Sequence, residues 1–207
     1  MLKLYLSFTD EDLPNVPVEK LSFYRAEKLL RLKDQQARRL SLCAELLLRY
    51  AMLDCGFPVA EPLSIEKGEY GKPYLKTGEC RFSLSHSGNA VLCAVGDREC
   101  GVDVQLIRPM NKALMERSYT QDERECVYAA EDKDEAFTAI WAKKESVAKA
   151  SGRGLTVPFR SFSVLDAETA EHLWQNRIGR YVMAAYGEEV YPDSITLIQV
   201  KASALQI

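Results

Sequence analysis

Histidine is scarce in this 207-residue chain: His86 and His172 are the only two, and neither has a cysteine at ligand spacing. That argues against a structural zinc site. No CxxC pair occurs among the six cysteines (Cys43, Cys55, Cys80, Cys93, Cys100 and Cys126), so they read as small core residues of a reducing compartment. The start Met1-Leu2-Lys3-Leu4-Tyr5 lacks the charged-then-apolar order of a signal peptide. The longest apolar run near the middle, residues 90–95, falls far short of the ~20 residues that span a bilayer. A soluble, cytoplasmic protein is the expectation. No Gly-x-Ser-x-Gly elbow is present, which removes the usual serine hydrolase. Nor does one charge dominate: 27 basic and 30 acidic residues leave a net −3, so a non-specific polyanion binder is not expected.

What is present suits an ordinary globular protein, with 47% hydrophobic and 28% charged residues. A chain of this length buries roughly 70% of its unfolded surface and needs no staple to fold. Leu2, Leu4, Leu6 and Phe8 alternate with polar or smaller neighbours, the period of a half-buried strand. From about residue 35 to 53 the period becomes three and four, and Gly56 follows as a stop, giving one long helix preceded by a basic one. Residues 70–74 form a turn. Residues 81–85 and 90–95 read as a hairpin with His86-Ser87-Gly88-Asn89 at its tip, followed by a strand over 101–105. Thr120-Gln121-Asp122-Glu123 is a capping box opening a helix, and another helix covers 134–151. Strands are expected at 162–165, 180–185 and 195–200. The fold class is α+β, with an N-terminal half over residues 1–100 and a C-terminal half over 101–207.

Three places carry candidate chemistry. Trp141, Glu145 and Lys149 share one helix face at i, i+4 and i+8, with Lys144 beside them. The pair is either a solvated Glu–Lys bridge or, given the bulky Trp, part of a covered working face. Asp103 and Gln105 lie on one face of an apolar strand, where a carboxylate is costly unless a metal or a basic partner meets it. In Phe82-Ser83-Leu84-Ser85-His86-Ser87-Gly88, the histidine either meets an anion or makes a local turn hydrogen bond. Charge adds a fourth signal. Residues 20–39 hold seven basic side chains against Glu27 and Asp34, while residues 122–135 hold seven acids against Arg124 and Lys133. The basic run is a solvated helix face or the site of a phosphate-rich small ligand. Without aromatic stacking motifs, nucleic acid is not the expected partner.

Taken together, Glu69-Tyr70-Gly71-Lys72-Pro73, residues 82–88, Gly101-Val102-Asp103-Val104-Gln105 and residues 141–149, continued by Gly152-Arg153-Gly154-Leu155, resemble the Sfp-type 4′-phosphopantetheinyl transferase superfamily. The resemblance implies two similar α+β halves about a pseudo-twofold axis, a monomer, and an active site in the cleft between the halves. It implies transfer of phosphopantetheine from coenzyme A to a serine of an acyl or peptidyl carrier protein, with release of adenosine 3′,5′-bisphosphate. By the same resemblance, Asp103 and Glu145 hold Mg²⁺, with Gln105 standing where relatives often carry a third acid. Lys149 and Lys144 meet the pyrophosphate, and Ser85 and His86 form the phosphate turn. Lys72 lies near the nucleotide, and Arg25, Lys28 and Arg39 lie near the 3′-phosphate. Glu145 is the candidate base, directly or through a water on the metal. Residues 108–119, with Arg108, Lys112 and Arg117, read as a loop that docks an acidic carrier. The competing reading is a catalytically weak module that binds coenzyme A or a carrier, with Gln105 as its one supporting feature.

Overall fold

The computed structural model describes residues 2–205. In chain order the elements are β1 (Lys3–Phe8), α1 (Phe23–Arg31), α2 (Gln35–Asp54), β2 (Ile65–Lys67), β3 (Pro73–Leu75), β4 (Arg81–Ser87), β5 (Ala90–Gly96) and β6 (Cys100–Leu106). They continue with α3 (Lys112–Ser118), α4 (Gln121–Ala129), α5 (Lys133–Ala150), α6 (Ala167–Ala170), β7 (Leu173–Ile178), β8 (Tyr181–Gly187) and β9 (Thr196–Gln199). The α+β class holds. One sheet runs β4-β5-β1-β9 and a second runs β6-β8-β7, with β2 and β3 as a separate hairpin.

Core formation follows the patterning. β5 is buried at all seven positions, and Tyr5, Val91, Cys93 and Val95 pack under Cys43, Leu47 and Met52 of α2. The opposite face carries Leu4, Leu6, Leu92 and Ala94 into a second core with Val102, Val104 and Met183. The two sheets therefore share one apolar layer. Burying each large aliphatic side chain there contributes about 1.5–3 kcal/mol. β9 pairs in parallel with β1, Lys3 opposite Thr196, so residues 196–199 return to the first sheet.

Several local readings change. β4 extends through Ser87, pairing Ser87 with Ala90, so His86 is a strand residue and the turn shrinks to Gly88-Asn89. Gly88 alone takes positive φ there (60°), which is the two-residue turn whose twist suits a hairpin. Residues 162–165 form no strand: Val164 and Phe162 alternate into a core beside α4 and α5, while the Val164 backbone N–H goes to the Glu123 carboxylate at 2.8 Å. Residues 112–118 are helical, capped by Asn111, whose side chain accepts from Leu114 N at 3.0 Å. Of the cysteines, Cys126 is exposed on α4 instead of lying in the core. Among the described residues no helix is long and apolar enough to cross a membrane.

Candidate active site

Two strand edges and one helix make the site. β4 and β6 run side by side without a backbone ladder between them. Serines at alternate positions of β4 join them instead, since period two sends all three hydroxyls to one side. Val102 N donates to Ser83 Oγ at 3.0 Å and Leu106 N to Ser87 Oγ at 3.1 Å. Between them, Ser85 Oγ donates to Asp103 Oδ1 at 2.6 Å.

Helix α5 lies directly across β6 because residue 101 is glycine. A Cβ there would sit 1.9 Å from the Ser146 carbonyl oxygen and 2.4 Å from Ala150 N, a separation only hydrogen tolerates. The close approach brings the i, i+4 pair Glu145 and Lys149 over Asp103. Lys149 Nζ reaches Asp103 Oδ1 at 2.6 Å and Ser85 Oγ at 2.9 Å. Asp103 is 2% exposed, and its second oxygen accepts from Gln105 Nε2 at 2.8 Å.

Glu145 differs. It has no hydrogen-bond or ion-pair partner among the described residues, and burial followed by the neighbouring Asp103 carboxylate raises its pKa against the opposing pull of Lys149. A half-covered carboxylate beside a second one, with the Ser85 hydroxyl adjacent, offers oxygen donors of the kind a hard divalent cation such as Mg²⁺ takes. A cleft of about 240 Å³ opens beside it, lined by Tyr70, Lys72, Phe82, Leu84, Glu145 and Lys149.

A second set of side chains gathers positive charge. His86 on β4 has its imidazole pKa lowered, first by burial and then by Lys28, Lys149 and Arg25. Burial, Arg25 and Lys67 lower that of Lys28. Every charge bearing on these two groups is positive, which favours an anion. Lys67, at the end of β2, was not among the sequence candidates; a three-residue strand leaves no periodic signal to find it by.

Four basic candidates are placed differently. Lys144 is fully buried and gives its ammonium to Glu123 (2.9 Å) and to the carbonyls of Phe159 (2.6 Å) and Phe162 (2.8 Å). It does not reach the cleft, because one residue along a helix rotates a side chain by about 100°. Arg25 is 3% exposed and held by Ser41 (2.9 Å) and Glu45 (3.5 Å), so it supplies field instead of a direct contact. Arg39 Nη2 is shared by the carbonyls of Thr9 (2.9 Å) and Glu11 (2.8 Å), pinning that loop. Lys72 lines the cleft with its stem, while its ammonium ties Glu99 (2.8 Å) to the carbonyls of Cys100 and Ala150.

The sequence profile of the 4′-phosphopantetheinyl transferase superfamily matches residues 99–186, the segment holding Asp103, Glu145 and Lys149. The chain is 29% identical over 171 residues to the 4′-phosphopantetheinyl transferase Sfp of Bacillus subtilis (strain 168), covering 79% of this chain and 76% of that one. It is 27% identical over 222 residues to the 4′-phosphopantetheinyl transferase ffp of Bacillus subtilis, at 97% and 99% coverage. With the 4′-phosphopantetheinyl transferase psf-1 of Bacillus pumilus it shares 32% over 138 residues, at 65% and 59%.

Proposed function

Since the chain belongs to the 4′-phosphopantetheinyl transferase superfamily and is a transferase of this type, we propose that it moves the phosphopantetheine arm of coenzyme A onto a serine hydroxyl of an acyl or peptidyl carrier protein. The observation that carries this reading is the meeting of Asp103, Glu145 and Lys149 beside one cleft. In the reaction the carrier serine oxygen forms a bond to the β-phosphorus of coenzyme A. The bond from that phosphorus to the bridging oxygen breaks, and adenosine 3′,5′-bisphosphate leaves with the electron pair.

Each residue has a task. Glu145, directly or through a water, takes the serine proton. Lys149 presents a cation to the pyrophosphate, and Ser85 with Asp103 fixes where that cation sits. Lys28, Lys67 and His86 receive the 3′-phosphate. Asp103 and Glu145 would hold Mg²⁺, which supplies charge neutralisation at the pyrophosphate. The two layers of sheet and long helix read as repeats of one unit about a pseudo-twofold axis, in a monomeric cytoplasmic enzyme. Incubation with coenzyme A, Mg²⁺ and a panel of apo-carrier proteins tests the proposal by intact mass. Gain of one phosphopantetheine on a carrier supports it; coenzyme A binding with no transfer to any carrier identifies a binding module.

Gln105 sets the metal's charge environment. Its amide nitrogen lies 2.8 Å from Asp103, so Gln105→Glu puts a third negative charge on the site. Repulsion from Asp103 offsets part of the gain, and the Mg²⁺ concentration for half-maximal thermal stabilisation and transfer should fall a few-fold, about 1 kcal/mol or less at an effective dielectric near 20. An unmoved midpoint would place Gln105 outside the metal's reach.

The carrier docks beside the same residues. Arg108, Leu114, Phe137 and Trp141 line a groove of about 150 Å³ that ends at Gln105, with Lys112 and Arg117 exposed on α3. An apolar floor with a basic rim complements an acidic carrier domain. Neutralising Arg108, Lys112 and Arg117 together should raise KM for the carrier and leave the affinity for coenzyme A as it was. A carrier KM equal to that of the parent protein would move docking elsewhere.

A further inference from the structure

Helix α1 carries Lys28, a cation whose charge bears on His86, yet its one buried side chain is the charged Arg25. Two of its large apolar residues point outward, Phe23 at 81% and Leu30 at 80% exposure, while Tyr24 packs against the first core. Apolar packing therefore holds this helix through one half-buried ring. A carboxylate on α2 fixes where it starts. Glu45 is fully buried; its Oε1 accepts the Ser22 backbone N–H at 2.7 Å, and its Oε2 accepts the Ser22 hydroxyl at 2.5 Å. Ser22 is the residue that caps α1, its hydroxyl accepting from Arg25 N at 3.1 Å. The same carboxylate faces Arg25 Nε at 3.5 Å and Arg49 Nη2 at 3.4 Å. Arg49 then holds the carbonyl of Lys20, just before the helix, at 2.7 Å.

We infer that Glu45 is a positioning residue for recognition of the nucleotide's 3′-phosphate: it sets the start of α1, and through one turn of helix the place of Lys28 beside His86 and Lys67. Lys28 lies three residues after Arg25, on the face that Glu45 orients. Glu45 touches no substrate. Its effect travels through Ser22 and Arg25, so it bears on the phosphate and not on the reacting β-phosphorus at Asp103. The inference rests on the reading above that the α1 cations meet a phosphate monoester.

The test compares coenzyme A with 3′-dephospho-coenzyme A by calorimetry in the parent protein, Glu45→Gln and Ser22→Ala. Glu45→Gln removes the charge and keeps an acceptor. Ser22→Ala keeps the Glu45–arginine pairs and removes the cap, and it decides the matter alone if Glu45→Gln does not fold. The expected result is a coenzyme A affinity weakened about tenfold, the scale of one charge-assisted bond, with 3′-dephospho-coenzyme A bound as in the parent, so that discrimination between the two collapses. A folded variant that keeps the parent's discrimination, or weakens both ligands equally, overturns the role of Glu45 while leaving the phosphate reading intact. A parent protein that binds both ligands equally overturns that reading, and this inference with it.

Discussion

Glu145→Gln is expected to lower phosphopantetheine transfer by about 10²-fold or more and, in metal-free buffer, to raise the melting temperature. The two effects have one cause. Glu145 is pushed toward its protonated form by burial and by Asp103. Its charge is thus held in place against a cost that the folded protein bears and the unfolded chain does not. Glutamine keeps the shape, removes the charge, and ends the repulsion between the two acids. It also removes the proton acceptor and half of the anionic pair that would hold Mg²⁺. Added Mg²⁺ should therefore stabilise the parent protein and leave the variant's melting temperature unmoved. Near-parental transfer, or an equal magnesium response in both proteins, would take Glu145 out of the site.

Gly101→Ala should be the most damaging single methyl group in the molecule. The new Cβ would meet backbone on α5, the Ser146 carbonyl and the Ala150 nitrogen, and backbone has no rotamer with which to move aside. Overpacking of this kind costs about 3 kcal/mol or more, which at the size of this chain lowers the melting temperature by about 10 °C. What folds should carry α5 displaced from β6, with Glu145 and Lys149 drawn away from Asp103 and transfer lost. Thermal unfolding followed by circular dichroism decides it. A melting temperature within a degree or two of the parent's would mean that α5 can be lifted at little cost.

How far the sequence revealed this arrangement depended on whether one chain segment settled its own surroundings. The long three-and-four period of α2 and the apolar run of β5 are buried by faces they define themselves. The alternation of β1 marked a strand, but not its burial, since Tyr5 and Ser7 are as covered as Leu4 and Leu6 and the strand is buried on both faces instead of one. Those elements were readable. β2 and β3 have three residues each, too few for a period, and β7 exposes Gln175, Asn176 and Arg177 in succession, which imitates a loop. Residues 162–165 alternate as a strand does, but the backbone partner of Val164 is the Glu123 side chain, and that lies 41 positions away. At the site, the i, i+4 spacing of Glu145 and Lys149 and the period-two spacing of Asp103 and Gln105 were visible because geometry within one element fixes them. The pairing of Lys144 with Glu123 and of Arg25 with Glu45 was not. A lysine in a basic motif looks the same whether it meets a substrate phosphate or a buried glutamate from another helix.

The returning strand β9 has a consequence for the unassembled chain. β1 is buried along its four central residues, and without a neighbour on that side it would present an apolar edge with unpaired amides and carbonyls, a template for another molecule. β9 covers that edge, pairing Lys3 through Leu6, and shows solvent a strand exposed at both ends, Thr196 and Gln199. The guard comes from nearly the opposite end of the sequence, so its closure bears the loop entropy of almost the whole chain. Until residues 196–199 dock, the first sheet keeps an open apolar edge; once they have, β1 is an interior strand.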